Sequence, residues 1–321
     1  MRKRVRLHHV MGRLRLGVRR LRGPDGVNRL RRQLEQRVDQ AWALARSKLE
    51  RSASVTPFDG DPRFALLTVN FSTTRYLKLM LLTLTDQDAL SRVQRIIVVD
   101  NRSRDGGLPF LRALARRVGR VHLTEHRHFL NHARGTRSCV ATLDRIERAA
   151  PAVPPANLLL FCDPDVVFVN RATLRDLGDA VAEENAAFAG ELRRPPPDLD
   201  VQASFFVVRR DIYQRRDVVP IVNHGSPALW MQRSIWRAGL PVVDFPSNYG
   251  GYILHRGRSA VAAARELFPR HSYATADARH PHFMGVPDGS RTWAAIEERF
   301  AVLLRPEQEQ RLVDFLAERL A

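Results

Sequence analysis

Residues 157–170 read NLLLFCDPDVVFVN. The run from Leu158 to Cys162 is apolar without interruption, which is how a strand buried on both faces reads in a helix-covered sheet. Pro164 fixes its own φ and has no ladder donor, so the strand is expected to break there. Asp163 and Asp165 then stand at its C-terminal edge, where open α/β sheets bind ligands. Taken alone, Asp-Pro-Asp reads equally well as a polar turn, since both residue types favour turns. The rest of the chain has to decide.

A chain of 321 residues with 44% hydrophobic content can bury a large core in one or two domains. No apolar stretch approaches the roughly 20 residues of a membrane span. The start, MRKRVRLHHVMGRLRLG, is charged throughout and does not read as a secretory signal, so the expected location is the cytoplasm. Cys139 and Cys162 read as small core residues rather than a disulfide framework. The formal charge of +18 is concentrated at one end: residues 1–55 hold 16 Lys and Arg against 4 acids, a net of +12.

That extension carries two helical apolar stripes separated by GPDG at 23–26, the second running Val27, Leu30, Leu34, Val38, Trp42, Ala45, Leu49. An apolar stripe among arginines suits peripheral contact with an anionic membrane surface, at the inner face of the membrane, or with a polyanion. Packing on the rest of the chain is the alternative. Arginine also far exceeds lysine throughout, so a compositional bias explains the charge equally well. The expected division is a basic helical extension and linker over 1–58, an α/β domain over 59–285 and a C-terminal helical segment over 286–321.

From residue 63 onward strands alternate with helices, the signature of an α/β fold with a largely parallel sheet. FALLTVN is a first buried strand, TTRYLKLMLLTL a helix and VQRIIVVD a second strand, followed by the loop NRSRDGG. LPFLRALARRV, RVHLTEH and ARGTRSCVATLDRIERAA continue the alternation to the strand at 157–162. Later strands and helices are read at AAFAGEL, SFFVVRRDIY, PALWMQRSIWRAG, LPVVDFP and GGYILHRG, and two amphipathic helices close the chain around Trp293–Leu304 and Glu307–Leu320. After the first strand comes Phe71-Ser72-Thr73-Thr74, with no glycine. Dinucleotide folds, methyltransferases and P-loops need glycine there for backbone to approach the ligand, so all three are disfavoured.

Four stretches, in order, resemble the GT-A fold of glycosyltransferase family 2 and its relatives, over about residues 64–257. LLTVN matches the family's first strand, which ends near the nucleobase and places Asn70 there. IIVVDNRSRDGG is similar to the VVDNxSxDG motif, whose first aspartate binds the base; this implies Asp100, with Asn101 beside it. NHARGTRSCV resembles the helix beside the nucleotide and implies His132, Arg134 and Gly135 near ribose or phosphates. LLLFCDPDVVF matches the strand leading into the family's DxD motif. By the family's pattern Asp165 ligates a metal and Asp163 serves ribose or the metal. His255 in YILHRG follows a strand-like run and is trailed by Arg256 and Arg258, an arrangement suited to a metal and pyrophosphate, and the resemblance implies a late histidine as a further ligand, with His280 and His282 as alternatives.

The resemblance agrees with the chemistry. Charge develops on the diphosphate as a glycosidic bond breaks, and Mn²⁺ or Mg²⁺ held by carboxylates stabilises it directly. The implied activity is transfer of a sugar from a nucleotide-sugar donor to a hydroxyl acceptor, whether glycan, lipid-linked or small molecule. A nucleic-acid partner is not expected. An inverting transferase also needs a base. The family's usual acidic motif is missing; VNHGSPALW stands in its place, leaving His224, Glu191 and Asp244 as candidate bases. The other reading is a catalytically inactive GT-A-like protein that acts through its basic N-terminus.

Overall fold

The structure, a computed structural model, describes residues 34, 37, 38, 41, 45, 56–128, 130–196, 198–222, 228–267 and 281–321. In chain order these give β1 (Phe64–Asn70), α1 (Thr74–Leu84), β2 (Val93–Asp100), α2 (Leu108–Arg117), β3 (Val121–Glu125), α3 (His132–Ala149), β4 (Leu158–Cys162) and β5 (Val166–Phe168). There follow α4 (Thr173–Glu183), β6 (Phe188–Arg194), β7 (Asp200–Arg209), α5 (Leu229–Arg237), β8 (Val242–Asp244), β9 (Ile253–His255), α6 (Val261–Leu267), α7 (Gly289–Arg299) and α8 (Glu309–Leu320). No helix among the described residues is long and apolar enough to cross a membrane.

The main sheet has seven strands in the order β3-β2-β1-β4-β7-β6-β8. β1 to β4 pair in parallel, β7 runs against both β4 and β6, and β6 pairs in parallel with β8. This is the mostly parallel, helix-flanked sheet expected from the sequence. Side chains alternate across each strand, so one strand feeds two cores. Phe64 and Leu66 of β1, with Leu158, Leu160 and Cys162 of β4, join the core under α1, α2, α4 and α8. Ala65 and Leu67, with Leu159 and Phe161, join the opposite core under α3 and α5. Both faces are therefore covered, which accounts for the unbroken apolar runs.

The parallel register brings three strand ends into line. Asn70 at the end of β1 pairs with Asp100 at the end of β2. On the other side β4 stops at Cys162, and the Asp-Pro-Asp turn leads into β5. β5 leaves the main sheet and pairs antiparallel with β9 in the register Val166↔His255. That small ladder brings His255 back to the Asp-Pro-Asp from some 90 residues downstream, a placement no local sequence pattern specifies.

Candidate active site

Asn70 and Asp100 sit at the base of a knitted loop. The Asn70 amide donates to Asp100 Oδ1, Thr74 Oγ1 and Ser103 Oγ, each at 3.0 Å, while the Ser103 N–H donates to Asp100 Oδ2 at 3.1 Å. Asp105 in the same loop accepts from the Thr74 N–H at 2.8 Å and so caps the start of α1. The Asn101 side chain holds both the N–H and the C=O of Leu130, at 2.7 and 2.8 Å, and thereby fixes the segment entering α3. Asn131 caps α3 by accepting from the Arg134 N–H. Gly135 is a packing residue: a Cβ there would lie 3.0 Å from Val69 Cγ1, so glycine lets α3 approach β1 closely. His132, exposed in the first turn of α3, lines a small recess with Asp163, Thr136 and Val69.

Around the Asp-Pro-Asp, ligand atoms of Asp163, Asp165 and His255 all lie within 4.8 Å of one another, the one such group of three among the described residues. His255 Nε2 is 3.2 Å from Asp165 Oδ1 and 3.9 Å from Asp163 Oδ2. Asp165 and His255 are buried, and Asp163 is half-buried. Burial pushes the Asp163 carboxyl up to about 6, with His132 and His255 opposing the rise and Asp165 adding to it. At Asp165 burial also works against the charge, but His255 and a Ser259 hydrogen bond outweigh it and hold the carboxyl below its ordinary range. At His255 burial disfavours the cation, yet the two aspartates prevail and its pKa is raised. Two hard carboxylates and an imidazole, converging and largely dehydrated, are a donor set that suits Mn²⁺ or Mg²⁺.

Arg256 places its guanidinium 4.7 Å from the Tyr76 ring centroid, and its backbone N–H donates to the Asp165 C=O at 3.0 Å. His282 stands edge-on to His255 at 5.8 Å between ring centroids, with its Nδ1 accepting from the Met284 N–H. His280 lies outside the described residues.

The candidate bases fare differently. Glu191 is buried in β6, and its Oε2 accepts from the backbone N–H groups of Asn248 and Tyr249. Asn248 Oδ1 in turn accepts from the His255 N–H at 3.1 Å. Glu191 thus shapes the turn that holds His255. Asp244, exposed at the end of β8, has one oxygen accepting from the Leu192 N–H at 2.9 Å. His224 lies outside the described residues. Sequence reading missed Gln202, Asn248 and Ser259, which touch the cluster from β7, from the turn before β9 and from the loop after it. The one available signal was polar residues interrupting an otherwise apolar strand, Gln202 and Ser204 in β7.

No protein-family model matches the chain, and no curated protein matches it. Among solved structures it is similar to residues 1–349 of S. aureus TarS, at 13% identity and a TM-score of 0.45, over 80% of this chain and 88% of that one. TarS has also been solved with UDP-GlcNAc. A second similar structure is the mannosyltransferase PcManGT from Pyrobaculum calidifontis in complex with GDP-Man and Mn²⁺, at 14% identity and a TM-score of 0.43, over 90% and 92% of the two chains.

Proposed function

We propose that the protein is a metal-dependent glycosyltransferase that moves a sugar from a nucleoside-diphosphate donor to a hydroxyl acceptor. The observation that carries this reading is the convergence of Asp163, Asp165 and His255 at the C-terminal edge of the sheet, beside the start of α3 and one strand away from the Asn70–Asp100 pair. When bound, a divalent cation supplies stabilisation of the charge that builds on the departing diphosphate. Asp165 and His255 are its assigned ligands, with Asp163 completing the set or orienting ribose. His132, which lines the same recess as Asp163, opens α3, and the N-terminal end of a helix favours an anion. Asn70 and Asp100, 0% and 2% exposed, are bonded to one another and to Ser103, so their assigned role is to hold the loop that floors the base site.

For the acceptor proton, Asp244 and His224 are the assigned candidates, because Glu191 is committed to two backbone donors. The test is calorimetric titration of UDP, GDP and dTDP with and without Mn²⁺, on the wild type and on Asp165→Ala. Metal-dependent binding of one nucleotide, lost in the variant, supports the reading. Absence of binding under every condition overturns it.

A second role, for the extension, is supported by the exposure of Leu34 (60%) and Val38 (58%), which with exposed Ala41 and Ala45 fall on one face at helical spacing. Exposed apolar side chains among the described residues of a segment of net charge +12 suit an anionic lipid surface. Co-sedimentation with vesicles containing phosphatidylglycerol, absent with neutral vesicles and reduced in Leu34→Glu/Val38→Glu, would support it; equal binding by the variant would refute it.

A further inference from the structure

Gln202 is 2% exposed in β7, a strand whose neighbours Val201, Phe205, Phe206, Val207 and Val208 are apolar and buried. A buried amide must find partners or destabilise the fold. Its partners here are the metal-cluster histidine and a hydroxyl. Gln202 Nε2 lies 3.2 Å from His255 Nδ1 and 2.7 Å from Ser204 Oγ, with Met284 Sδ at 3.2 Å. The placement follows from the sheet. β7 runs on past the end of β4, the Asp163 N–H bonds Ser204 O at 2.8 Å, and Gln202 and Ser204, two residues apart, share the face toward the Asp-Pro-Asp.

With the amide nitrogen toward the ring, Nδ1 is an acceptor, and the single proton of a neutral His255 sits on Nε2. That is the nitrogen 3.2 Å from Asp165 Oδ1, where a lone pair is needed to ligate a cation. Ligation requires the other tautomer, with the proton on Nδ1 and an acceptor facing it. A half-turn of the Gln202 amide exchanges Nε2 for Oε1 and supplies that acceptor. Ser204 loses nothing in the exchange, because a hydroxyl either accepts from the amide nitrogen or donates to the amide oxygen.

We infer that Gln202 is a positioning residue that fixes the tautomer of His255: its Oε1 accepts the Nδ1 proton and leaves Nε2 to bind the divalent cation. This rests on the metal reading proposed above. The test is calorimetry of Mn²⁺ alone on full-length wild type, Gln202→Leu and Gln202→Glu, with thermal unfolding in EDTA as the control for folding. Loss of the acceptor in Gln202→Leu is expected to weaken Mn²⁺ by about 10- to 100-fold, the range seen when partners of metal-ligating histidines are removed. Gln202→Glu, which keeps an acceptor, is expected to bind at least as tightly as wild type. In ¹⁵N spectra of the Mg²⁺-loaded protein, His255 is expected as the Nδ1–H tautomer. Equal affinity of wild type and Gln202→Leu, equal weakening in both variants, or an Nε2–H tautomer in the loaded protein would each overturn the assignment alone. A wild type that binds no Mn²⁺ overturns the metal reading itself.

Discussion

Glu191 separates a positioning carboxylate from a catalytic base, and its substitution gives different numbers in the two cases. Its Oε2 accepts two backbone N–H groups in the turn at 248–249, the Tyr249 bond measuring 3.1 Å, at a residue 4% exposed. Hydrogen bonds to a charged acceptor contribute about 1.5–3 kcal/mol each, and those to a neutral one about 0.5–1.5. Glu191→Gln keeps an oxygen but removes the charge, so two bonds weakened by about 1 kcal/mol each give a loss of about 2 kcal/mol. Glu191→Ala leaves both donors without their acceptor, and at about 1–3 kcal/mol for each the expected loss is about 2–6 kcal/mol. Urea unfolding with an unchanged m-value measures this directly. Because Asn248 carries the restraint on to the His255 backbone at 3.1 Å, Mn²⁺ affinity should fall alongside stability in Glu191→Ala. A Glu191→Ala protein within about 0.5 kcal/mol of wild type would refute the positioning role, the range expected of an inconsequential surface change. A Glu191→Gln protein of wild-type stability and Mn²⁺ affinity that has lost sugar transfer would point back to a base.

The Mn²⁺ affinity should depend on pH in one direction. Asp163, pushed up to about 6, and His255, raised above its ordinary value, must both shed protons to bind a cation, whereas Asp165, held low, is already ionised. Affinity therefore falls as pH drops from about 8 to about 5, and calorimetry showing a flat profile would contradict the assignment. Gly257→Ala should destabilise by at least about 1–3 kcal/mol, because the backbone there has φ +73° and the new Cβ would lie 2.2 Å from His282 Nε2. A melting temperature equal to wild type would count against that packing. Asp105→Ala removes the acceptor from the Thr74 N–H at the start of α1 and should cost about 1 kcal/mol in urea unfolding, and an unchanged stability would refute the capping role.

What the sequence made legible follows the length scale of each interaction. β2 and β4, buried on both faces, announce themselves as continuous apolar runs, and their observed bounds, Val93–Asp100 and Leu158–Cys162, agree with the expected strands. α4 was left unread although Leu174, Leu177 and Val181 are buried at helical spacing. Gly178 breaks the visible pattern, and its reason is tertiary: a Cβ there would meet Pro62 at 2.9 Å. β7 was read only from Ser204 onward, because Gln202 and Ser204 face the cluster and disguise the start of a buried strand. The Asp-Pro-Asp is visible as chemistry at a strand end, and His255 is legible from the strand-like run before it, the arginines after it and the resemblance to a family. Its partners Gln202, Asn248 and Ser259 depend on the β5–β9 ladder and the antiparallel β7, long-range pairings that leave no local periodicity.

Asp165 and His255 are proposed to hold a divalent cation for a nucleoside diphosphate. Anomalous diffraction at the manganese edge, from crystals grown with Mn²⁺ and whichever nucleotide binds, tests it most directly. One manganese peak is expected at coordination distance from an Asp165 carboxylate oxygen and His255 Nε2, with the diphosphate on its open side. A nucleotide bound with no manganese between it and these two residues, or manganese bound elsewhere, would contradict it.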